Sequence, residues 1–263
     1  MNRLKLLRFN LALLPNLLIA VDGKNRIEQP SAFAKVLGNI SQSKPVCWYS
    51  KNVAWLMRPR FGTELANLKY QALGREAQEA LGIPQDRVLP IKKVITGLSP
   101  VAQAETYAIC IDEEKIKNRS FGAQRSVFFH EACHVKYNDA AMINLSGLLS
   151  GVLAGVATNY LIKMVKPEDK YQFLSVIAQI TISAVAKHYT ESKFAKFAER
   201  RADTEGLYAS QCAICVKEES EYTSHHYLPR HQKMGYLSSA DITSIAIDLE
   251  QQNKKCAGHK LAP

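Results

Sequence analysis

The chain has 263 residues, of which 47% are hydrophobic and 22% are charged, and its formal net charge is +10 at pH 7. A chain of this length and composition can bury a sizeable core, which excludes a disordered or low-complexity protein and fits one domain with appendages. The charge is uneven, because residues 1–60 hold ten Lys or Arg and two acidic residues, a balance of +8, whereas the rest has a balance of +2. The basic excess therefore belongs to the N-terminal region, and no internal repeat, phosphate-binding glycine loop or nucleic-acid module accompanies it.

The cysteines follow no framework spacing, which predicts reduced thiols rather than disulfides. They are Cys47, Cys110, Cys133, Cys212, Cys215 and Cys256. Cys212 and Cys215 form a C-x-x-C pair, but no second pair completes a structural zinc site. We interpret this pair as packing residues.

The N-terminal region, residues 1–60, reads as a basic segment that is a signal, an anchor or a membrane-docking element. Residues 1–21 contain three basic and no acidic residues, and the uncharged run 9–21 is too short to span a bilayer. Trp48 and Trp55 follow among further lysines and arginines, a combination that lipid headgroups favour. The hypothesis is that this segment docks on an anionic membrane; the alternative is a segment packed on the domain with solvated lysines.

Residues 63–82 repeat apolar side chains at helical spacing, with Gly82 at the C′ position and Pro84 just beyond it. They predict a helix. Two β-like runs follow at 88–96 and 105–112. The second run is apolar on both faces, which predicts a strand buried on both sides.

The next segment, residues 128–134, contains the pattern H-E-x-x-H in a predicted helix that runs from 120 to 138. His130 and His134 are one turn apart on one face, so their imidazoles can converge on a tetrahedral zinc. Glu131 lies beside them and can take a proton from water that the metal has acidified. The alternative is a surface helix with two unrelated histidines. Cys133 points about 100° away from His134, which argues against a ligand role.

Two uncharged apolar stretches, residues 140–162 and 171–186, are joined by the polar segment 163–170 and predict a helical hairpin. Its first arm repeats glycine at every fourth position, the spacing that lets helices approach closely in membranes. These glycines are Gly147, Gly151 and Gly155. Polar residues dilute the apolar signal and the second arm is short, so insertion in a membrane and burial in a core both stay open.

A further helix is predicted from 187 to about 210, and it can supply what a catalytic zinc needs, a third protein ligand. Glu199 can be that ligand, and Asp203, one turn on, can accept the outer N–H of a ligating histidine. Ala195, Ala202 and Gly206 lie on or beside this face, where small side chains would let the helix approach the H-E-x-x-H helix. The rival ligand on this helix is His188, which has no acidic partner one turn away.

The two motifs, His-Glu-Ala-Cys-His at 130–134 and Glu-Arg-Arg-Ala-Asp at 199–203, resemble those of the HtpX and CAAX-prenyl-protease-like zinc endopeptidases. These gluzincins, together with OMA-like proteases, form metallopeptidase family forty-eight. The resemblance covers roughly residues 60–250. It implies a mainly α fold with a small β-sheet (α+β) of zincin type, with the helical hairpin inserted between the two metal-ligand helices. It also implies one Zn2+ bound by His130, His134 and Glu199, with Glu131 as general base and Asp203 hydrogen-bonded to a ligand.

The family also places an edge strand just before the zinc helix, and this strand binds an extended protein or peptide substrate. Residues 105–112 occupy that position in the sequence. A histidine and an arginine after the third ligand help to hold the tetrahedral intermediate, and residues 224–230 are the nearest match. This chain departs from the family pattern there: no proline follows the histidine and the spacing is shorter. His225, His226 and Arg230 are therefore candidate catalytic residues, with His231 as an alternative.

We therefore expect residues 61–250 to form a zinc metalloendopeptidase domain and residues 251–263 a polar tail, after a capped helix that begins at 238. The alternative function is a non-catalytic membrane-associated protein with a structural or vestigial zinc site. The expected partners are a protein or peptide substrate and a membrane, without nucleic acid. If the hairpin spans, its flanking lysines and arginines favour an active site on the cytoplasmic side. Soluble cytoplasmic and secreted proteins, including a toxin-like protease with one host target, are alternatives.

Overall fold

The structure is mostly helical and has one small sheet, which confirms the predicted α+β class. The computed structural model describes residues 36, 39–52, 62–94, 101–105, 107–165, 171–226 and 229–254. The chain divides into two units, Met1–Leu37 and Gly38–Pro263, and every element below belongs to the second.

The four strands of this second unit all come before its longest helices in the chain. In chain order they are α1 (Lys44–Asn52), β1 (Gly62–Leu65), α2 (Leu68–Ala80), a 3-10 turn (Gln85–Arg87), β2 (Ile91–Val94), β3 (Ala102–Ala104), β4 (Ile109–Ile111), α3 (Glu113–Ile116), α4 (Phe121–Tyr137), α5 (Asp139–Val165), α6 (Gln172–Ala209), α7 (Ala213–His226), α8 (Pro229–Lys233) and α9 (Ser239–Gln251).

The sheet is mixed and has the strand order β1-β2-β4-β3 in the described part of the chain. Strand β4 pairs parallel with β2 and antiparallel with β3, and its three residues are all buried, as the apolar run at 105–112 predicted. One expectation was wrong: β4 is an inner strand and not the edge strand beside the zinc helix. That edge is β3, which was not predicted because Ala-Gln-Ala is only three residues long and has no β-branched or aromatic residue.

Helix α2 is shorter than the predicted helix at 63–82, because residues 63–65 belong to strand β1, which pairs with β2. The side chain of Asn67 accepts a hydrogen bond from the backbone N–H of Lys69 and begins the helix. Gly82 has a φ of +69° just past the helix end, as its predicted C′ position requires.

The largest apolar core lies between the sheet, α2 and α4. Phe128 and Phe129 of α4 are fully buried in it against Ile109 and Ile111 of β4. Because these two aromatic side chains precede His130 directly, the packing of the core fixes the position and rotation of the helix that carries the H-E-x-x-H motif.

Helices α5 and α6 form the predicted hairpin, but its second arm continues without a break into the predicted third-ligand helix. The two expected helices, 171–186 and 187–210, are one helix of 38 residues. The boundary at 187 was wrong because it rested on a change from apolar to charged side chains, which does not interrupt backbone hydrogen bonding. Gly147 and Gly155 face α6 as the glycine spacing predicted, against Glu191 and Ser183.

Helix α5 is, within the described residues, the one helix that is long and apolar enough to cross a membrane. Only 17% of its most apolar window is buried. A helix in the core of a soluble protein is mostly buried, whereas most of this window is exposed.

The N-terminal prediction lies mainly outside the described residues, which exclude 1–35 and 53–61. Within the described part, α1 packs on the domain through Val46, which contacts the buried Ala141 and Met142. Trp48 is exposed. At the other end, α9 begins with the predicted capping box of Ser238 and Asp241.

Helix α6 approaches α4 closely, as its small side chains predicted. A Cβ atom on Gly206 would lie 2.9 Å from the backbone C and O atoms of Phe129, and Ala202 is fully buried in the same contact. Real Cβ atoms do not come that near to a backbone, so the residue at 206 must be glycine if the two helices are to keep this separation.

We therefore expect Gly206→Ala to lower the free energy of unfolding by about 1–3 kcal/mol, because the added methyl group overpacks the α4–α6 contact. Zinc affinity should fall as well, since Glu199 lies on the displaced helix. Urea denaturation and a zinc titration measure the two effects. The matched control is Gly151→Ala on α5, where the nearest neighbour is 3.3 Å away. Equal stability of the two variants would contradict the packing account.

Candidate metal centre

Helix α4 positions three of the predicted site residues, and its two ends agree with the predicted bounds of 120 and 138. The hydroxyl of Ser120 accepts a hydrogen bond from the backbone N–H of Ala123, and Asn138 closes the helix in the left-handed conformation with a φ of +50°. His130 and His134 lie on one face, with their ring centroids 4.7 Å apart.

The structure brings Glu199 to these two histidines from 65 residues further along the chain. Its Oε2 atom lies 3.2 Å from Nε2 of His130 and 3.6 Å from Nε2 of His134, and the two Nε2 atoms are 3.1 Å apart. In a tetrahedral zinc site with ligands about 2.1 Å from the metal, neighbouring ligand atoms are about 3.4 Å apart. The triangle therefore has the size of three ligands around one small cation, and these residues can hold a metal ion.

The charges around the triangle also favour a cation at its centre. Burial alone lowers the pKa of His134, but hydrogen bonds to Asp139 and Glu199 raise it to about 9. Burial alone raises the pKa of Glu199, but the two histidines lower it below its ordinary value. Oε2 of Glu199 is buried, and its close neighbours are the two Nε2 atoms, which fits an oxygen that shares a metal ion with them.

Each histidine has a carboxylate on its outer nitrogen. Nδ1 of His130 lies 2.7 Å from Oδ1 of Asp203, the contact expected from the sequence, and Nδ1 of His134 lies 2.8 Å from Oδ2 of Asp139. Such carboxylates accept a hydrogen bond from Nδ1–H, which keeps the proton on Nδ1 and leaves Nε2 as the ligating atom of both rings. Asp203 is fixed in turn because its other oxygen accepts a hydrogen bond from the backbone N–H of Leu237 at 2.8 Å.

Asp139 is a site residue that sequence reasoning missed. It opens α5, is 2% exposed and forms an ion pair with Arg201 of α6. Arg201 also stacks on the ring of Tyr137, 3.7 Å from its centroid. The available signal was an acidic residue at the start of an otherwise uncharged run, but only the left-handed turn at Asn138 brings it back to His134.

Glu131 lies in the buried wall of a cleft next to the metal triangle. Its Oε2 atom accepts a hydrogen bond from the backbone N–H of Ala104, the last residue of edge strand β3. Burial raises the pKa of Glu131 above its ordinary value. The carboxylate is thus held between the two histidines and the sheet edge.

The cleft has a volume of about 500 Å3 and is bordered by β3, α4 and α7. Its lining includes Val101, Ala102, Ser126, His130, Glu131, Glu219, Tyr222, His226, His231 and Tyr236. This volume is within the ordinary range for binding sites of small molecules and side chains.

The residues that the sequence suggested for holding the tetrahedral intermediate differ in their position relative to the cleft. His226 lines the cleft, where its Nδ1 lies 2.9 Å from the carbonyl oxygen of Tyr222. His231 also lines the cleft, whereas His225 is exposed and does not. Arg230 belongs to α8 by its backbone, and its side chain lies outside the described residues.

Tyr236 is a second site residue that the sequence did not predict. Its ring stacks against His130 with the centroids 5.9 Å apart. The loop that carries it crosses α6 at Gly235, where a Cβ atom would lie 2.4 Å from the carbonyl oxygen of Lys196. Gly235, directly before this tyrosine, was the available signal. It indicates a close contact, but the sequence does not show that the contact is with α6.

A fourth protein ligand, the mark of a structural zinc site, is not found among the described residues. The group that can hold a metal contains His130, His134 and Glu199. His188, the rival ligand, is exposed on α6 and does not belong to it. Three ligands are the number that a catalytic zinc site uses.

Comparisons with protein-family models, with curated proteins and with solved structures found no match. The interpretation of this site therefore depends on the geometry and chemistry of its own residues.

We expect Asp139→Asn and Asp203→Asn each to weaken zinc binding by about 10- to 100-fold, because the histidine rings lose the carboxylates that orient them. A competition titration with a chromogenic chelator measures the affinity. The exposed substitution Glu221→Gln on α7 controls for the loss of one negative charge. The same zinc affinity in all three variants would show that these contacts do not orient the ligands.

Proposed function

We propose that this chain is a zinc-dependent metalloendopeptidase of the gluzincin type, with the zincin-like arrangement of metallopeptidase family forty-eight. The observation that carries the proposal is the triangle of His130, His134 and Glu199, whose ligand atoms lie 3.1–3.6 Å apart beside the buried Glu131. Two imidazoles and one carboxylate form a donor set that catalytic zinc uses in peptidases.

When bound, zinc supplies Lewis-acid chemistry, since it lowers the pKa of water and polarises a peptide carbonyl. Glu131 accepts the proton from the attacking water and then delivers it to the leaving amine. Its buried position and raised pKa suit both roles, because the acid must release the proton again within one turnover. Asp139 and Asp203 keep the two histidine rings in one tautomer.

The substrate binds along the edge strand β3. Val101 and Ala102 line the cleft, and Ala104 at the end of the strand donates its N–H to Glu131. An extended peptide that adds to this edge by main-chain hydrogen bonds is carried past Glu131 towards the metal ligands. Among the sequence candidates for oxyanion stabilisation, His226 and His231 line the cleft, and the ring of Tyr236 lies beside them.

Zinc-loaded Glu131→Gln should keep its metal and lose hydrolysis of an unstructured protein such as casein, because the proton acceptor is removed and no ligand is. His134→Ala should lose both zinc and hydrolysis. Elemental analysis and a casein assay with and without a chelator measure the two properties. Glu221→Gln is the control for surface charge. Full activity in zinc-loaded Glu131→Gln would rule out this mechanism.

We also propose that the α5–α6 hairpin anchors the enzyme in a membrane. Large apolar side chains are exposed along both arms. They include Leu148, Leu149, Val152, Leu153, Val156, Leu161, Met164 and Val165 on α5, and Phe173, Leu174, Val176, Ile177, Ile180, Ile182 and Val185 on α6. The stretch from Leu148 to Val165 is about 27 Å long as a helix, close to the hydrocarbon thickness of about 30 Å.

Charged residues begin where this exposed apolar surface ends. Lys187 and Glu191 form an ion pair on α6, and the basic residues Lys193 and Lys196 follow before Glu199. Basic residues next to a spanning segment favour the cytoplasmic side, which agrees with free cysteines in the described residues. The metal centre is on the same side of the hairpin, so we propose a membrane-associated enzyme with a cytoplasmic active site.

The double substitution Leu153→Asp and Val156→Asp should reduce partition of the full chain into lipid vesicles by more than about tenfold, because each charge costs about 2.5–3.5 kcal/mol in the centre of a bilayer. Vesicle flotation measures the bound fraction. The control Leu68→Asp replaces a side chain on α2 that is 85% exposed and lies outside the hairpin. Unchanged partition in the double variant would reject the anchor.

A further inference from the structure

The cleft beside the metal centre contains polar groups that the proposed mechanism does not use. Arg119, Ser126 and Glu219 line it, and each side chain is more than nine-tenths buried. Each has an atom with no hydrogen-bond partner in the described part of the chain: Nε of Arg119, Oγ of Ser126 and Oε2 of Glu219. Buried polar atoms are nearly always paired, so three unpaired atoms in residues that line one cleft indicate a binding subsite.

Arg119 is held in place by stacking. Its guanidinium lies over the ring of Tyr222, 4.0 Å from the centroid. The ring covers a face of the guanidinium, whereas the N–H donors point outwards in the guanidinium plane. Stacking thus positions the group and leaves its donors for a ligand in the cleft.

Glu219 supplies the complementary acceptor. The hydroxyl of Thr223 donates to its Oε1 at 3.3 Å, whereas Oε2 has no partner among the described residues. Burial raises the pKa of Glu219 to about 7, against the opposing effect of Arg119. A carboxylate in this setting is stabilised by a ligand that donates a hydrogen bond to it.

The subsite contains one guanidinium and one carboxyl group, which a pKa of about 7 leaves partly ionised at neutral pH. The other charged groups that line the cleft already have partners: Lys115 pairs with Asp112 at 3.5 Å, Asp203 with His130, and Glu131 with the backbone of Ala104. An acidic ligand would satisfy Arg119 but face Glu219, and a basic ligand would do the reverse. An aliphatic ligand would leave all three polar atoms buried and unpaired.

We propose that Arg119, Ser126 and Glu219 form a specificity subsite for a substrate side chain that carries a primary amide, glutamine or asparagine. The amide oxygen accepts from Arg119, the amide NH2 donates to Glu219, and the hydroxyl of Ser126 bonds to either group. This inference rests on the proposed peptidase function, because it assumes that the cleft binds peptides.

The test measures binding separately from hydrolysis. The full chain with Glu131→Gln is loaded with zinc, and fluorescence anisotropy reports its affinity for labelled Ala/Ser peptides with one varied central residue: Gln, Glu, Lys or Leu. Because the host peptide is uniform, it can slide until the varied side chain reaches the subsite. We expect the Gln peptide to bind at least about tenfold more tightly than the other three.

Two further variants in the same background should shift the preference in opposite directions. Glu219→Gln leaves Arg119 as the only charge of the subsite, so the Glu peptide should gain at least about tenfold relative to the Lys peptide. Arg119→Gln leaves Glu219, so the Lys peptide should gain relative to the Glu peptide. Arg119→Lys keeps the positive charge and should not produce the second shift. Melting temperature and zinc content verify that each variant is folded.

A parallel loss of affinity for all four peptides in both variants, an unchanged order of preference, or no binding of any peptide would overturn the subsite. The same peptides are then incubated with the zinc-loaded chain that retains Glu131. Selective binding without hydrolysis would overturn the peptidase proposal and keep the subsite, whereas hydrolysis without preference for Gln would overturn the subsite alone.

Discussion

The close contact between α4 and α6 is the constraint on which the rest of this structure depends. Gly206 lies against the backbone of Phe129, and Phe129 is itself buried next to the residue that carries the first imidazole. Glu199 lies two turns before Gly206 on the same helix. Because the helices are so close, its side chain reaches both histidines. A larger residue at 206 would separate the helices, and a carboxylate on a short side chain has little reach to compensate.

One continuous helix, α6, contains both the second apolar arm of the hairpin and the residues that complete the candidate metal site. Its first half exposes apolar side chains around the hairpin, and its second half carries Glu199 and Asp203. The hairpin returns the chain to the side that it left, so the insertion separates the two metal-binding motifs in sequence without separating them in space. Arg201 and Asp139 connect the bases of both arms to His134.

The local part of this arrangement was predictable from the sequence. The spacing of His130 and His134, the bounds of their helix near 120 and 138, and the small side chains near Gly206 all follow from local sequence patterns, which few residues suffice to specify. The structure also places Asp203 at the outer nitrogen of His130, one turn from Glu199 as the spacing implied.

The remainder depends on contacts that a single sequence does not show. Strand β3 is three residues long with no β-forming side chain, and it is a strand because β4 pairs with it. Asp139 reaches His134 only through the left-handed turn at Asn138. Helix α6 continues through 187 because hydrogen bonding and the contact with α5 outweigh the change in polarity there.

Joint binding of one metal ion by two imidazoles and Glu199 can be measured by isothermal titration of the metal-free chain with zinc, compared with Glu199→Ala and His188→Ala. We expect one zinc per chain, tight binding that is unchanged by His188→Ala, and a loss of several orders of magnitude in Glu199→Ala. Unchanged affinity in Glu199→Ala, or a loss in His188→Ala instead, would contradict this joint binding.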